Sequence, residues 1–429
     1  MKVYNNSEFL NQLKDDIINK KQSVFLTGSA GVGKTTLLQT LKEELDCVGM
    51  NTVLTSTTGL SAFNLGGVTI HKFMGINIQK DVSYLKYFRY SFQFIALKKR
   101  LAKFSVIIID EISMLRADQF NLIDKTLKLA CGSDLPFGGK IMVFAGDFYQ
   151  IPPVVLQTEI QKNQWIFTSE PWLNSNIKVY KLVHVHRQND LDFINSLDEI
   201  KRGITKTKNV KKLLAQCQKR VPNENDTVFF ATNEECDEFN QKKLDELPGE
   251  AVTYVAKITG KKKEYNKEAI KRECIAKESL TLKVGTKVII IFNDPSNRFV
   301  NGTKATVSKL EEHRIFVKID GAQKQIPLRR HTWTKVNYYG KKLATFSQIP
   351  VIPAYGLTIH KSQGMTLDSI VIDCKNIFTY GQLYVGMSRV RAAENMTLIN
   401  FDSSKAITSH AVKNYYQKTK MIEVYVINV

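Results

Sequence analysis

The sequence predicts an α/β protein of two parallel-sheet lobes, with a small insertion in the first lobe and a small β-barrel inserted in the second. Three observations predict it. Short β-branched runs alternate with longer amphipathic stretches through the first half, which is the rhythm of βαβ units. A turn-rich region of short strands interrupts the second half before the α/β rhythm returns. The 429 residues, 43% hydrophobic and 24% charged, exceed one ordinary domain and suffice to bury substantial cores.

Taken in order, Ser23–Thr27 (SVFLT), Val106–Ile109 (VIII) and Ile141–Ala145 (IMVFA) read as buried strands. Tyr84–Phe104 is rich in aromatics and cations and lacks the surrounding rhythm, so it reads as an insertion. Two readings of it stand side by side: a projecting wedge, or a helix whose Tyr and Phe pack on the first lobe. A Lys-rich stretch, Lys257–Lys287, precedes the turn signals Asn293–Asn297 (NDPSN), Asn301-Gly302 and Gly321. These give a first lobe over 1–75 and 105–185, an insertion over 76–104, a second lobe over 186–284 and 347–429, and a barrel over 285–346. No short-period repeat is present.

Lys and Arg number 61 against 41 Asp and Glu, a net charge of +20. A polyanion partner explains that excess, and so does a proteome with Lys-rich surfaces, so charge alone decides little. The six cysteines are scattered, without a CxxC pair or zinc spacing, and read as reduced structural residues. The N-terminus carries no signal-peptide pattern, and the longest apolar runs are too short for a bilayer. The expected setting is a bacterial-type cytoplasm, away from membranes.

The strongest local signal is Gly28–Thr35 (GSAGVGKT), which follows the strand SVFLT and opens the helix TTLLQTLKEEL. That strand–loop–helix context is what a phosphate loop needs. Backbone N–H groups close on phosphates, the helix start adds its positive end, Lys34 reaches the β/γ-phosphates and the Thr35 hydroxyl ligates Mg²⁺. The apolar strand ending in Asp110-Glu111 then supplies Asp110 for Mg²⁺ and Glu111 to take a proton from the attacking water, although a carboxylate pair capping the next helix would look the same. Gln150, in Phe144–Pro153, is placed to sense a γ-phosphate; a plain turn before Pro-Pro gives the same punctuation. Hydrolysis coupled to movement needs cations from a second lobe, and Arg187 (HRQND) and Arg389 (QLYVGMSR) are the candidates. No second GxxxxGK occurs, so the second lobe is expected to complete a shared site.

TGSAGVGKTTL, TTGLSAFNLGGVTIHKF, IIIDEISML, LPFGGKIMVFAGDFYQIPPV, HRQNDLDFINSLDEIKRG, TIHKSQGMTL and QLYVGMSRV stand in the order found in superfamily-one DNA helicases. The chain resembles the Pif-type, RecD-like branch over nearly its whole length. The resemblance implies two RecA-like lobes, a wedge in the first and an SH3-like barrel in the second, and 5′ to 3′ translocation on single-stranded DNA. It implies ATP and Mg²⁺ as cofactors, with Gly28, Ala30, Gly31, Gly33, Lys34, Thr35 and Thr36 around the phosphates. Asp110 and Glu111 then serve Mg²⁺ and water, Gln150 the γ-phosphate, and Arg187 and Arg389 act in trans. Gln363 and Gly364 link nucleotide to DNA. Thr58, Thr69, His71 and Phe73 in the first lobe, with Thr358, His360, Lys361 and Ser362 in the second, match the DNA-contacting motifs. Single-stranded and forked or partial-duplex DNA are the implied partners of a monomer. The family's adenine-reading glutamine is matched only loosely by Gln12 in Phe9-Leu10-Asn11-Gln12, and a plain amphipathic helix fits that segment as well.

Two other classes fit parts of the pattern. A basic phosphotransferase would use the same loop, with a substrate lid and without Arg389. A DNA-binding ATPase that separates no strands would keep the site intact, whereas a scaffold with a degenerate site would not need Lys34, Thr35, Asp110 and Glu111 together.

Overall fold

The computed structural model describes the chain except residues 1, 77–81, 154–164, 185–190, 261–266, 268–269, 272–273, 275, 293, 295, 297, 300–302, 320–324, 337–341 and 428–429. Chain contacts divide it into two units, one of residues 1–205, 379–384 and 406–429, the other of 206–378 and 385–405.

The first unit is organised by an eight-stranded sheet in the order Lys2–Asn5, Met421–Ile427, Lys178–His184, Val24–Gly28, Ile141–Ala145, Val106–Asp110, Thr52–Ser56, Val68–Thr69. Every pairing in it is parallel. The central strands Val24–Gly28, Ile141–Ala145 and Val106–Asp110 are buried at every position because both faces are covered. Side chains alternate between two cores: Phe25, Ile107, Ile109, Met142 and Phe144 on one face, Val24, Leu26, Val106, Ile108, Val143 and Ala145 on the other. Helix Ala117–Cys131 covers the first face through Phe120, Ile123 and Leu127, and its apolar spacing of three and four residues is why it is a helix. Helices Asn6–Ile18 and Lys34–Cys47 cover the second through Phe9, Leu13, Ile17, Leu38, Leu41 and Leu45. Each of those leucines, fully buried, contributes about 1.5–3 kcal/mol.

The inward face of the segment 84–104 follows the packed-helix reading, and its outward face carries exposed aromatics. Helices Leu85–Phe88 and Phe92–Leu101 bury Leu85, Phe88, Phe94, Leu97 and Leu101 in the first unit's core, yet leave Tyr87, Tyr90, Phe92 and Ile95 exposed.

The second unit holds a parallel sheet in the order Gly356–Thr358, Thr227–Phe230, Ile370–Asp373, Met396–Ile399. An antiparallel module accompanies it. Five strands run in the order Gln325–Arg329, Arg314–Ile319, Lys304–Leu310, Lys287–Ile290, Val351–Pro353. Three more run Lys257–Gly260, Lys342–Gln348, His331–Val336, and Val252–Val255 pairs with Ser279–Leu282. Tyr254, Leu280 and Leu282 share one core with Val288, Ile290, Val307, Ile315 and Val317.

Two boundaries differ from the sequence expectation. The β module reaches from Val252 to Pro353 and not only over 285–346, because Val252–Val255 and Ser279–Leu282, short strands on either side of most of the lysines, pair and send Tyr254, Leu280 and Leu282 into its core. Residues 347–429 do not all belong to the second lobe: Met421–Ile427 pairs in parallel with Lys178–His184 and Lys2–Asn5, and helix Leu191–Lys201 also lies in the first unit. A strand's composition states that it is a strand but carries no address for the sheet it joins.

Candidate nucleotide site

The phosphate loop leaves the C-terminal end of Val24–Gly28 and runs into helix Lys34–Cys47, at the carboxyl ends of a parallel sheet's strands, where ligands bind. Gly28 is required there: a Cβ would lie 2.5 Å from the Leu182 carbonyl oxygen, and its φ is +147°. Lys34 folds over the loop, its Nζ donating to the carbonyls of Gly28 at 2.7 Å and Ser29 at 2.9 Å. Desolvation lowers its pKa, while Asp147, Glu111 and Asp110 oppose that shift. Thr35 and Thr36 are exposed at the helix start, as are Gly31 and Gly33.

Asp110 ends its strand 3% exposed, accepting from the Thr35 hydroxyl at 3.2 Å and the Glu111 N–H at 2.8 Å. Burial raises its pKa against the pull of Lys34 and these donors. Glu111 sits at φ +53°, a left-handed conformation costly for a non-glycine residue, and its carbonyl accepts from the Thr57 hydroxyl at 2.8 Å. Such backbone strain concentrates at working sites. A hydroxyl and a carboxylate 3.2 Å apart are hard oxygen donors of the kind that suit Mg²⁺, which takes few protein ligands beside phosphate and water. Among the described residues no cluster of three or more His, Cys, Asp or Glu side chains could hold a metal by itself.

Asp147 and Gln150 follow the strand Ile141–Ala145, both nearly fully buried. Gln150 is held by its N–H to the Asp147 carbonyl at 2.9 Å. Three residues absent from the sequence expectation meet here. The Tyr384 hydroxyl accepts from the Ala30 N–H of the loop at 3.2 Å and lies 3.4 Å from the Asp147 carboxylate. The Tyr416 hydroxyl bonds Thr27 at 2.9 Å and accepts the Phe148 N–H at 3.1 Å, with burial holding its pKa well above the usual phenol range. Lys201 reaches the Ser29 hydroxyl at 3.1 Å. Tyr384 lies in QLYVGMSR, where only Arg389 drew attention, Lys201 lies in HRQNDLDFINSLDEIKRG, where only Arg187 did, and Tyr416 carries no local motif.

Arg187 lies outside the described residues. Arg389 belongs to the second unit and is 4% exposed. Its Nε donates to the Val385 carbonyl at 2.9 Å, and its guanidinium reaches the carbonyls of Met365 at 3.3 Å and Ser362 at 3.5 Å. The fold thus joins Arg389 to the turn that carries Gln363 and Gly364. Gln12 sits on helix Asn6–Ile18, its amide donating to Asp16 at 3.3 Å.

The residues expected at DNA divide. Thr58 and Thr69 accept the N–H groups of Ser61 and Lys72 at 3.2 and 3.4 Å, and Thr358 accepts that of Lys361 at 3.4 Å, so all three hydroxyls cap local turns. Lys361 and His360 are partly buried, and burial lowers the His360 pKa. Three of the expected side chains lie in the interior of their units. Phe73 is 3% exposed and edge-on to Phe104 at 5.9 Å, leaving no face for a base. His71 is 9% exposed, with burial lowering its pKa to about 4. The Ser362 hydroxyl is fully buried and donates to the Ile359 carbonyl at 2.8 Å. Apolar residues of a short helix flanked by capping threonines look alike in sequence whether they face solvent or core.

A phosphate loop, a strand-end Asp-Glu pair and a third strand bearing Gln150, set on a parallel sheet, define a nucleotide-hydrolysing α/β protein with a RecA-like core. The comparisons make this specific. The PIF1-like helicase family model matches residues 4–217. The ATP-dependent DNA helicase Pif1 of Bdellovibrio bacteriovorus is 32% identical over 404 residues, 94% of this chain and 90% of the relative. The chain belongs to the PIF1-like helicase family. Among solved structures, the Bacteroides sp Pif1 complex with ADP-AlF4 superposes with a TM-score of 0.80 at 29% identity, covering 96% of both chains. The Bacteroides Pif1 complex with ADP-AlF3 and single-stranded DNA gives 0.69 at 28% identity, again over 96% of both.

Proposed function

We infer that this chain is an ATP-dependent DNA helicase that moves along single-stranded DNA from 5′ to 3′ and opens duplexes ahead of it. The observation that carries the reading is the pairing of the Thr35 hydroxyl with the Asp110 carboxylate beside Lys34, inside a family whose members hydrolyse ATP to unwind DNA. Backbone N–H groups of the loop and Lys34 bind the phosphates, and Thr35 with Asp110 holds Mg²⁺, which supplies charge neutralisation when bound. Glu111 accepts a proton from water at its carboxylate, and Gln150 orients that water or reads the γ-phosphate. Arg389, from the second lobe, and Arg187 act as cations on the same phosphates, and Gln363 and Gly364, on the turn that Arg389 grips, relay nucleotide state to DNA. Single-stranded and forked DNA are the substrates, with Thr58, Thr69, Thr358, His360 and Lys361 bordering the groove. The excess of cations, +20 overall, favours a polyanion track.

The phosphotransferase alternative loses ground to the family assignment. Measuring ATP hydrolysis with and without single-stranded DNA tests the proposal. The strand is expected to stimulate turnover manyfold, and equal rates would refute the coupling of ATP to DNA.

A further inference from the structure

Lys201 ends helix Leu191–Lys201, is 5% exposed, and turns its charge into the first unit. Its Nζ donates to the Ser29 hydroxyl at 3.1 Å and pairs with Asp198 at 2.7 Å. It also lies 5.5 Å from the ring centroid of Tyr149 and 5.7 Å from that of Tyr384. The Lys201 carbonyl accepts from the Thr408 hydroxyl at 2.7 Å, which fixes the helix end from which the side chain springs. Burial opposes a charge here, but Tyr384, Asp147 and Asp198 outweigh it and raise the Lys201 pKa, so the ammonium is permanent. That charge is also felt by Lys34, whose pKa it helps to lower. Two cations therefore serve one loop: Lys34 from inside it, and Lys201 from a helix some 170 residues away in sequence.

We propose that Lys201 is a positioning residue for ATP turnover, a fixed cation that anchors Ser29 in the phosphate loop and balances Asp147 beneath it, so that the loop meets the triphosphate already shaped. The proposal rests on reading Gly28–Thr35 as an ATP site. A charge-assisted hydrogen bond to the loop is worth about ten- to a hundredfold in an equilibrium constant, and because the contact is made before and during reaction, its loss falls on KM more than on kcat.

The test compares wild type, Lys201→Met, Lys201→Arg, Ser29→Ala and the Lys201→Met/Ser29→Ala double variant of the full chain, reading DNA-stimulated ATP hydrolysis and the rise in melting temperature on adding ADP. Lys201→Met should raise KM for ATP about tenfold or more, with kcat within about threefold, and should shrink the ADP-induced rise. Lys201→Arg should recover part of both, and the double variant should be little worse than Lys201→Met alone, since the two side chains share one contact. A KM within twofold of wild type together with an unchanged ADP response would overturn the proposal. A fall confined to kcat would also overturn it, because that places Nζ on the transition state. If Lys201→Met does not fold, Ser29→Ala decides: a severalfold rise in KM supports the anchor and an unchanged KM removes it. A wild type that hydrolyses no ATP would refute turnover at this loop but not nucleotide binding, and the ADP response of the Lys201 variants would then decide for or against Lys201.

Discussion

Gly381 presses against the backbone that carries Gln150, and replacing it isolates what that contact does. A Cβ on Gly381 would lie 2.2 Å from the Tyr149 carbonyl oxygen and 2.7 Å from the Gln150 carbonyl carbon, and Gly381 sits at φ +68°. Both obstacles are backbone, so relief requires the segment of Gln150 or that of Gly381 to move. The left-handed conformation costs an alanine about 1–2 kcal/mol, and overpacking of a close contact adds roughly 1–3 kcal/mol. A displacement of about 1 Å at a group that orients the reacting water lowers turnover on the order of 10²-fold. Gly132 supplies the control: at φ +65° with nothing within 4 Å of a Cβ, it carries the conformational cost without the clash. Gly132→Ala should therefore destabilise by about 1–2 kcal/mol and leave turnover unchanged, while Gly381→Ala should lose more stability and most of its kcat. Urea unfolding and DNA-stimulated ATP hydrolysis read the two effects. Equal stability losses, with kcat of Gly381→Ala within twofold of wild type, would show that the close approach does not position Gln150.

Lys34→Ala should lower kcat for ATP on the order of 10²–10³-fold, as loss of one donor to developing charge does, while single-stranded DNA binding measured by fluorescence anisotropy stays near wild type. His71, with a folded pKa of about 4 against an ordinary 6.5, favours the folded state in its neutral form. Its contribution is present above pH 6.5 and is lost as pH falls toward 4, so stability should drop by about 2 kcal/mol between pH 7 and pH 5; in urea titrations His71→Leu should lack that component, and an identical pH slope would refute the assignment. The logarithm of single-stranded DNA affinity should fall linearly with the logarithm of salt concentration, with a slope near −0.7 per phosphate neutralised; a flat response would remove the phosphate-tracking groove.

The sheet strands and the phosphate loop were legible because their signals are local. Apolar runs at 24–26, 106–109 and 141–145 could only be strands buried on both faces, and the glycines of Gly28–Thr35 sit where strand must turn into helix. Asp110 and Glu111 were legible for the same reason, as carboxylates at a strand's C-terminal end. What surrounds them was not. Tyr384, Tyr416 and Lys201 reach Asp147 and the loop from 354, 389 and 172 residues away, measured to Ala30, Thr27 and Ser29, and each lies on a helix whose own pattern explains it without any site. The burial of Phe73 and His71 was not legible because helix Ile70–Met74 is too short to show which face is inward. The C-terminal strand was recognisable as a strand, but only tertiary pairing assigns it to the first sheet.

Strand separation on duplexes bearing either a 5′ or a 3′ single-stranded tail, with ATP and Mg²⁺ present, probes motor activity and polarity together. The 5′-tailed duplex should be opened, the 3′-tailed one should persist, and Lys34→Ala should open neither. Persistence of both duplexes under conditions where the wild type hydrolyses ATP, or opening by Lys34→Ala as fast as by wild type, would contradict the assignment of this chain as an ATP-driven helicase.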